Sequence, residues 1–251
     1  GEHALYIDPY YATYPGTIRG AGLIDVPFKT RARDGFLPNK TALMRESAGA
    51  CSLLINSPNN PTGGVYPRHT LEDIAAVCRA HGLWLISDEV YDTQVWDGDF
   101  ISARALPNMA ERVLVVGSMS KSHAMTGSRV GWVIGPEDVI AHLTNLATHT
   151  TYGVPGYIQD AALFALNLGD DFEIEIAAPF KRRRDAVVAR LARQNVITAQ
   201  PSGGTMYLML NIRNTGLSSV DFAFGLLDAE RVAVMPGESF GSAAHGHIRL
   251  A

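Results

Sequence analysis

Short, continuously apolar runs punctuate the first half of the chain, at residues 5–7, 23–28, 52–56, 83–87, 113–118 and 130–134. Most lack alternation and end on small or polar residues, the pattern of strands buried on both faces. Between two of them, Leu71, Ile74, Ala75 and Cys78 recur at i, i+3, i+4 and i+7, and Gly82 follows. That spacing predicts a helix closed by glycine. The strand–helix–strand rhythm predicts an α/β fold whose mostly parallel sheet is sandwiched by helices. After Pro136 the period becomes helical as far as Leu168, and again over 172–195, where Pro179 predicts a kink or a break. The tail alternates once more, with strands expected at 197–199, 206–211, 232–235 and 247–250 and a helix over 220–229. The chain therefore divides into a large α/β unit over 1–170 and a small, partial α+β unit over 171–251.

Composition narrows the class. Of 251 residues, 47% are hydrophobic and 18% charged, enough apolar material for a folded core and too much for a disordered chain. Lys and Arg number 21 against 25 Asp and Glu, a net charge of −4 that argues against non-specific nucleic-acid binding. No apolar stretch approaches the roughly 20 residues of a membrane span. Lys181 to Arg184 reads as a solvated helix face. Cys51 and Cys78 sit in apolar surroundings without metal-ligand spacing, so both are expected to be small buried residues in a reducing, cytoplasmic setting. His245 and His247 would share a strand face, but a third ligand is lacking and no metal is expected. Gly1 opens almost directly onto the first strand without Met or leader, which suggests a piece of a longer chain.

Two catalytic patterns match and fail on context. Gly237-Glu238-Ser239-Phe240-Gly241 fits a nucleophile elbow, yet neither Asp nor Glu follows Ser239. Ser118-Met119-Ser120-Lys121 fits a penicillin-recognising motif whose companion elements are absent. The stretch from Ser118 to Trp132 carries better chemistry. Lys121 is one of only four lysines and follows a buried-type strand, where an amine partly withdrawn from water is a nucleophile for Schiff-base chemistry. Nearby hydroxyls and Arg129 would make a phosphate seat. Asp88 ends another apolar run; it is either a helix N-cap or a carboxylate in need of a cationic partner, with the Tyr91 phenol three residues on. Ser57 to Gly64 follows a third strand, at the sheet edge where α/β folds bind ligands. A cis bond at either proline there would hold Asn60 in one place.

Together these pieces resemble the pyridoxal-phosphate-dependent aminotransferases of fold type I, class I/II, over essentially the whole chain. The resemblance rests on Asn59-Asn60-Pro61-Thr62-Gly63, Ser87-Asp88-Glu89-Val90-Tyr91, Ser118-Met119-Ser120-Lys121 with Arg129 eight residues later, and His247-Ile248-Arg249-Leu250. Ser122-His123-Ala124-Met125-Thr126-Gly127 and the run from Tyr152 to Ala162 look most like the arginine–pyruvate transaminase subgroup. The resemblance implies that Lys121 carries pyridoxal 5'-phosphate as a Schiff base and shuttles a proton. It implies that Asp88 pairs with the ring nitrogen, that Tyr91 and Asn60 hold the ring oxygen, and that Tyr11 stacks on the ring. Ser118, Ser120 and Arg129 would hold the phosphate, and Arg249, beside Asn60, the substrate carboxylate. The implied reaction passes an amino group from an L-amino acid to a 2-oxo acid, in a homodimer, with neither nucleic acid nor membrane as partner. A carbon–sulfur lyase on the same scaffold, or an inactive or regulatory cofactor-binding fragment, remains as the alternative. The chain departs from the family in lacking a longer N-terminal region with a phosphate-binding loop and a closing C-terminal helix. It also has Ser128 where Trp is usual.

Overall fold

Parallel pairing of the doubly apolar runs builds the main sheet of the computed structural model, which describes residues 1–251. β1 (His3–Asp8), β2 (Ile24–Lys29), β3 (Ala50–Asn56), β4 (Trp84–Asp88) and β5 (Val113–Ser118) are parallel, and β6 (Gly131–Ile134) lies antiparallel to β5. Their spatial order is β2-β1-β3-β4-β5-β6. Because β2 and β3 flank β1 on opposite sides, the order reverses there, opening a crevice at the carboxyl ends of the strands.

The helices are α1 (Tyr14–Gly20), α2 (Lys40–Glu46), α3 (Arg68–His81), α4 (Met119–Ser122), α5 (Glu137–Thr150), α6 (Gly156–Leu166), α7 (Asp170–Leu191) and α8 (Ser219–Glu230). On α3 the predicted stripe is buried: Leu71, Ile74, Ala75 and Cys78 pack with Leu53, Ile55, Leu85 and Val113 of the sheet in one core. Gly82 ends that helix at φ 69°, a left-handed cap that glycine adopts without strain. A second, antiparallel sheet has the order β7-β8-β10-β9, from β7 (Thr198–Ala199), β8 (Leu208–Asn211), β9 (Met235–Pro236) and β10 (His247–Leu250). No helix is long and apolar enough to cross a membrane.

Several expectations change on contact with the tertiary structure. Pro179 lies inside an unbroken α7. The carbonyl of Glu175, which loses its partner there, belongs to an exposed residue that water can satisfy. β6 is exposed at every position, Trp132, Val133 and Ile134 included, so it is not the doubly buried strand its composition suggests. Cys78 is fully buried, its thiol pushed up to about 12 by burial, whereas Cys51 at the start of β3 is half-buried. Arg184 leaves the solvated face of its basic run and bonds Asp97 at 2.9 Å and the Ser202 carbonyl. His245 lies outside β10, because Gly246 turns the chain at φ 73°, so the two histidines do not share a strand face. The strand expected over 232–235 shrinks to Met235–Pro236, where proline lacks the N–H that a ladder needs.

Candidate active site

Four strand ends meet around one cavity of about 310 Å³. β1 leads to Tyr11, β3 to Asn60, β4 ends in Asp88 and leads to Tyr91, and β5 runs directly into the turn that bears Lys121. All five residues line the cavity, as do Ser118, Ser120 and Arg129. Arg249 arrives from β10 and donates to Asn60 Oδ1 at 2.9 Å. The residues singled out from the sequence are thus brought together, although up to 189 positions separate hydrogen-bonded partners.

Local chemistry explains how each is held. Ser118 caps α4, its Oγ accepting from the Ser120 N–H at 3.1 Å and donating to the Val130 carbonyl at 3.3 Å. This fixes the single turn on which Lys121 sits. The Asn60 loop is pinned by Asn56, whose Oδ1 accepts from the Asn60 N–H at 2.7 Å while its Nδ2 donates to the Asp88 carbonyl at 2.9 Å. The Ser57–Pro58 and Asn60–Pro61 peptides are cis, as is Asp8–Pro9. Gly63 closes the loop at φ 71°, where a Cβ would press on the Ser202 side chain and the Tyr207 carbonyl. Gly63→Ala is therefore expected to cost about 1–3 kcal/mol in urea unfolding. A loss below about 0.5 kcal/mol, the range of an indifferent surface change, would refute this account of the loop.

Burial pushes the Asp88 carboxyl above its ordinary range, against the lowering effect of bonds from the Tyr14 hydroxyl at 2.5 Å and the Val90 N–H at 3.3 Å. No helix starts at Asp88, so the N-cap alternative falls. Tyr91 is buried and donates to the Tyr207 hydroxyl at 3.3 Å; burial and that neighbour raise its phenol well above the usual range. The Arg249 guanidinium lies 4.4 Å from both the Tyr207 and the Phe240 ring centroids. Burial draws it below its ordinary range, opposed by Tyr207, Tyr91 and Tyr11. Its Nε is buried and has no partner.

The charges lining this cavity are left uncompensated by the chain itself. None of its ion pairs uses Lys121, Arg129, Arg249 or Asp88. Elsewhere, Arg19, Lys40 and Arg184 find carboxylates within 3 Å. The lone lining carboxylate, the lining Lys121 and Arg129, and Arg249 beside Asn60 suit a ligand that offers one cationic and two anionic groups.

The family model for aminotransferase class I and II matches residues 1–251. The chain belongs to the class I and II aminotransferases. Among relatives, arginine–pyruvate transaminase AruH of Pseudomonas aeruginosa is 44% identical over 253 residues, covering 100% of this chain and 64% of its own length. Aspartate/prephenate aminotransferase of Thermus thermophilus is 34% identical over 255 residues, with 100% and 64% covered. The solved structure of Thermus thermophilus aspartate aminotransferase with maleate superposes with a TM-score of 0.92 at 33% identity, covering all of this chain and 65% of that one. Aromatic aminotransferase from Pyrococcus horikoshii gives 0.93 at 34%, covering all of this chain and 68% of that one. This aminotransferase chain thus has the fold type I architecture and spans 64% of the length of these two sequence relatives.

Several contacts of this candidate site lie outside the sequence motifs. Tyr14, Asn56, Tyr207 and Phe240 each touch a residue singled out from the motifs. Tyr14 had one usable signal, its position three residues after Tyr11 and just before Pro15: the Tyr14 N–H donates to the Tyr11 carbonyl at 3.0 Å across the turn that leads into α1, and the two rings meet edge to face at 5.7 Å. Tyr207 and Phe240 carry none, because they lie on distant segments that only folding brings in.

Proposed function

We propose that this chain forms the reaction centre of a pyridoxal-phosphate-dependent aminotransferase that passes an amino group from an L-amino acid to a 2-oxo acid. The single observation that carries this reading is the uncompensated charge pattern of the cavity, the buried Asp88 carboxylate with Lys121 and Arg129 in one lining and Arg249 joined to it through Asn60, none of them in an ion pair. Pyridoxal phosphate has a basic ring nitrogen, a phosphate and an aldehyde, which match Asp88, Arg129 and the Lys121 amine respectively. When bound, the cofactor supplies a carbonyl that condenses with amines and a ring that withdraws electrons from bonds at the substrate α-carbon.

The chain's own residues do the rest. Lys121 Nζ would hold the cofactor covalently, and the same amine is placed to take and return a proton at the substrate α-carbon. Asp88 keeps the ring nitrogen protonated by pairing with it, and Tyr14 orients that carboxylate by its bond to Oδ2. The Tyr91 phenol, kept protonated by burial, would turn its one O–H from Tyr207 to the ring oxygen, beside Asn60. Tyr11 would cover the ring face, and Ser120 and Arg129 would hold the phosphate. Ser118 contributes through its cap on α4 as well as its place in the wall. Arg249 grips the substrate carboxylate with a planar fork that lysine lacks.

In this reading residues 1–170 carry the cofactor and 171–251 contribute Arg249. The 44% identity to an arginine–pyruvate transaminase makes L-arginine and pyruvate the first pair to assay. A homodimer belongs to the same reading, supported by Leu163 and Phe164, which stand exposed on α6.

The deciding experiment is to incubate the protein with pyridoxal phosphate, reduce with borohydride, and map modified lysines by mass spectrometry. Selective modification of Lys121 is expected. Even modification of Lys29, Lys40, Lys121 and Lys181 would mean surface chemistry and end the proposal.

A further inference from the structure

Asp8 is a buried carboxylate that no part of the proposed chemistry uses. It ends β1, is 1% exposed, and has no ion-pair partner. Its carboxylate bonds are all made with one segment more than 230 residues away. Oδ1 and Oδ2 accept from the Ala243 N–H at 3.2 and 3.3 Å, and Oδ2 accepts from the Ser242 hydroxyl at 3.1 Å. Two residues on, the Tyr10 N–H donates to the Phe240 carbonyl at 2.9 Å. Gly241 lies against Asp8 and Tyr10 at φ 112°, where a Cβ would collide with both. The other side of Asp8 is fixed too, its main-chain carbonyl accepting from the Thr30 N–H at 2.9 Å and the Thr30 hydroxyl at 2.6 Å.

The segment so gripped, Phe240 to Ala244, belongs to two short turns rather than to a strand. It draws no support from a β-ladder: Ala244 at its far end is packed against Phe36 and Met209, and the bonds to Asp8 and Tyr10 fix the end that carries Phe240. Phe240 is 2% exposed, and its ring forms one of the two aromatic walls around the Arg249 guanidinium, Tyr207 being the other. The fork of Arg249 is therefore aimed by two rings and by Asn60 Oδ1, with no carboxylate of the chain to hold it. Bidentate binding of a carboxylate needs that fork in one plane.

We propose that Asp8 is a positioning residue for carboxylate recognition: it clamps the Phe240–Ala244 turn to the end of β1 and so holds Phe240 under Arg249. This rests on the reading of Arg249 as the substrate-carboxylate residue. Asp8 does not line the cavity. Its effect passes through the loop to the ring, and from the ring to the guanidinium.

The test uses the cofactor-loaded, full-length protein and propionate, an unreactive monocarboxylate, whose binding is read by NMR line broadening. Asp8→Asn keeps the shape and removes the charge. It is expected to raise the propionate Kd and the KM for both amino acid and 2-oxo acid about tenfold, as loss of charge-assisted hydrogen bonds does. kcat is expected to stay within about twofold and Lys121 labelling to stay unchanged, since a uniform binding loss leaves turnover alone. Ser242→Ala removes one bond and is expected to shift Kd about two- to threefold the same way. It decides the matter if Asp8→Asn does not fold, an unchanged Kd then counting against the proposal. Arg249→Lys separates the two layers of the argument. Loss of propionate binding there, with wild-type binding in folded Asp8→Asn, overturns the clamp alone. Wild-type binding in Arg249→Lys overturns the carboxylate reading and the clamp with it. A fall of kcat and Lys121 labelling in step with Kd in Asp8→Asn would mean general loosening, and would also overturn it.

Discussion

Lys121→Ala is expected to lower transamination by at least about 10⁴-fold, because it removes both the covalent attachment point and the proton carrier. Lys121 is the only lysine lining the cavity, so no second amine is placed to substitute. The fold should survive. Lys121 is in no ion pair, its turn is capped by Ser118 independently of the lysine, and alanine is the best helix former. Thermal unfolding is expected to change by no more than about 0.5 kcal/mol, as for a substitution that orphans no partner. Steady-state assays with L-arginine and pyruvate, borohydride labelling and a melting curve check the three parts. Retained turnover, or selective cofactor capture elsewhere, removes Lys121 from the centre of the mechanism.

Asp88→Asn is expected to act in opposite directions on stability and activity. Burial raises this carboxyl above its ordinary 3.8, in spite of the bonds from Tyr14 and Val90. An acid with a higher pKa folded than unfolded binds more protons in the native state between those two values. Stability therefore falls as pH rises through that window, and the ionised group remains a burden above it. Asparagine is neutral, and its amide oxygen can still accept from the Tyr14 hydroxyl. The cofactor-free variant should melt about 2–4 °C higher than the parent at pH 7, equivalent to about 1 kcal/mol for a chain of this length. That advantage should shrink as pH falls through the window towards 3.8. Turnover should drop about 10²–10³-fold, because a preorganised charge opposite the ring nitrogen is lost. Calorimetry across pH and single-turnover kinetics test both halves. A lower melting temperature at pH 7, or unchanged turnover, would contradict this account.

The two effects share one cause. A carboxylate buried without a cation is costly to the empty protein and useful to the loaded one. The same holds for the partnerless Nε of Arg249.

Much of the architecture could be read from the chain because burial on both faces leaves a plain trace. β1, β3, β4 and β5 are continuous apolar runs, and their polar ends, Asp8, Asn56, Asp88 and Ser118, mark the side of the sheet where the cavity opens. The α3 stripe and its closing glycine were equally plain. α1 and α2 were not, since seven residues hold too few turns for a period to emerge. β6 reads as a core strand and stands exposed, because composition records what a strand is made of and not which neighbours cover it.

For the site, the chain alone determined which chemical groups stand at which strand ends: the Lys121 amine, the Asp88 carboxylate, the Tyr91 phenol and the Asn60 amide. Their local spacing dictates those positions. Tertiary structure decided which groups are paired and which are left free. Tyr14 reaches Asp88 across 74 positions, Tyr91 meets Tyr207 across 116, and Asp8 takes hold of Ala243 across 235. Hydrogen bonds and desolvation act over a few ångströms of space and are indifferent to separation along the chain. An uncompensated charge is thus a property of the folded cavity and of no segment that lines it.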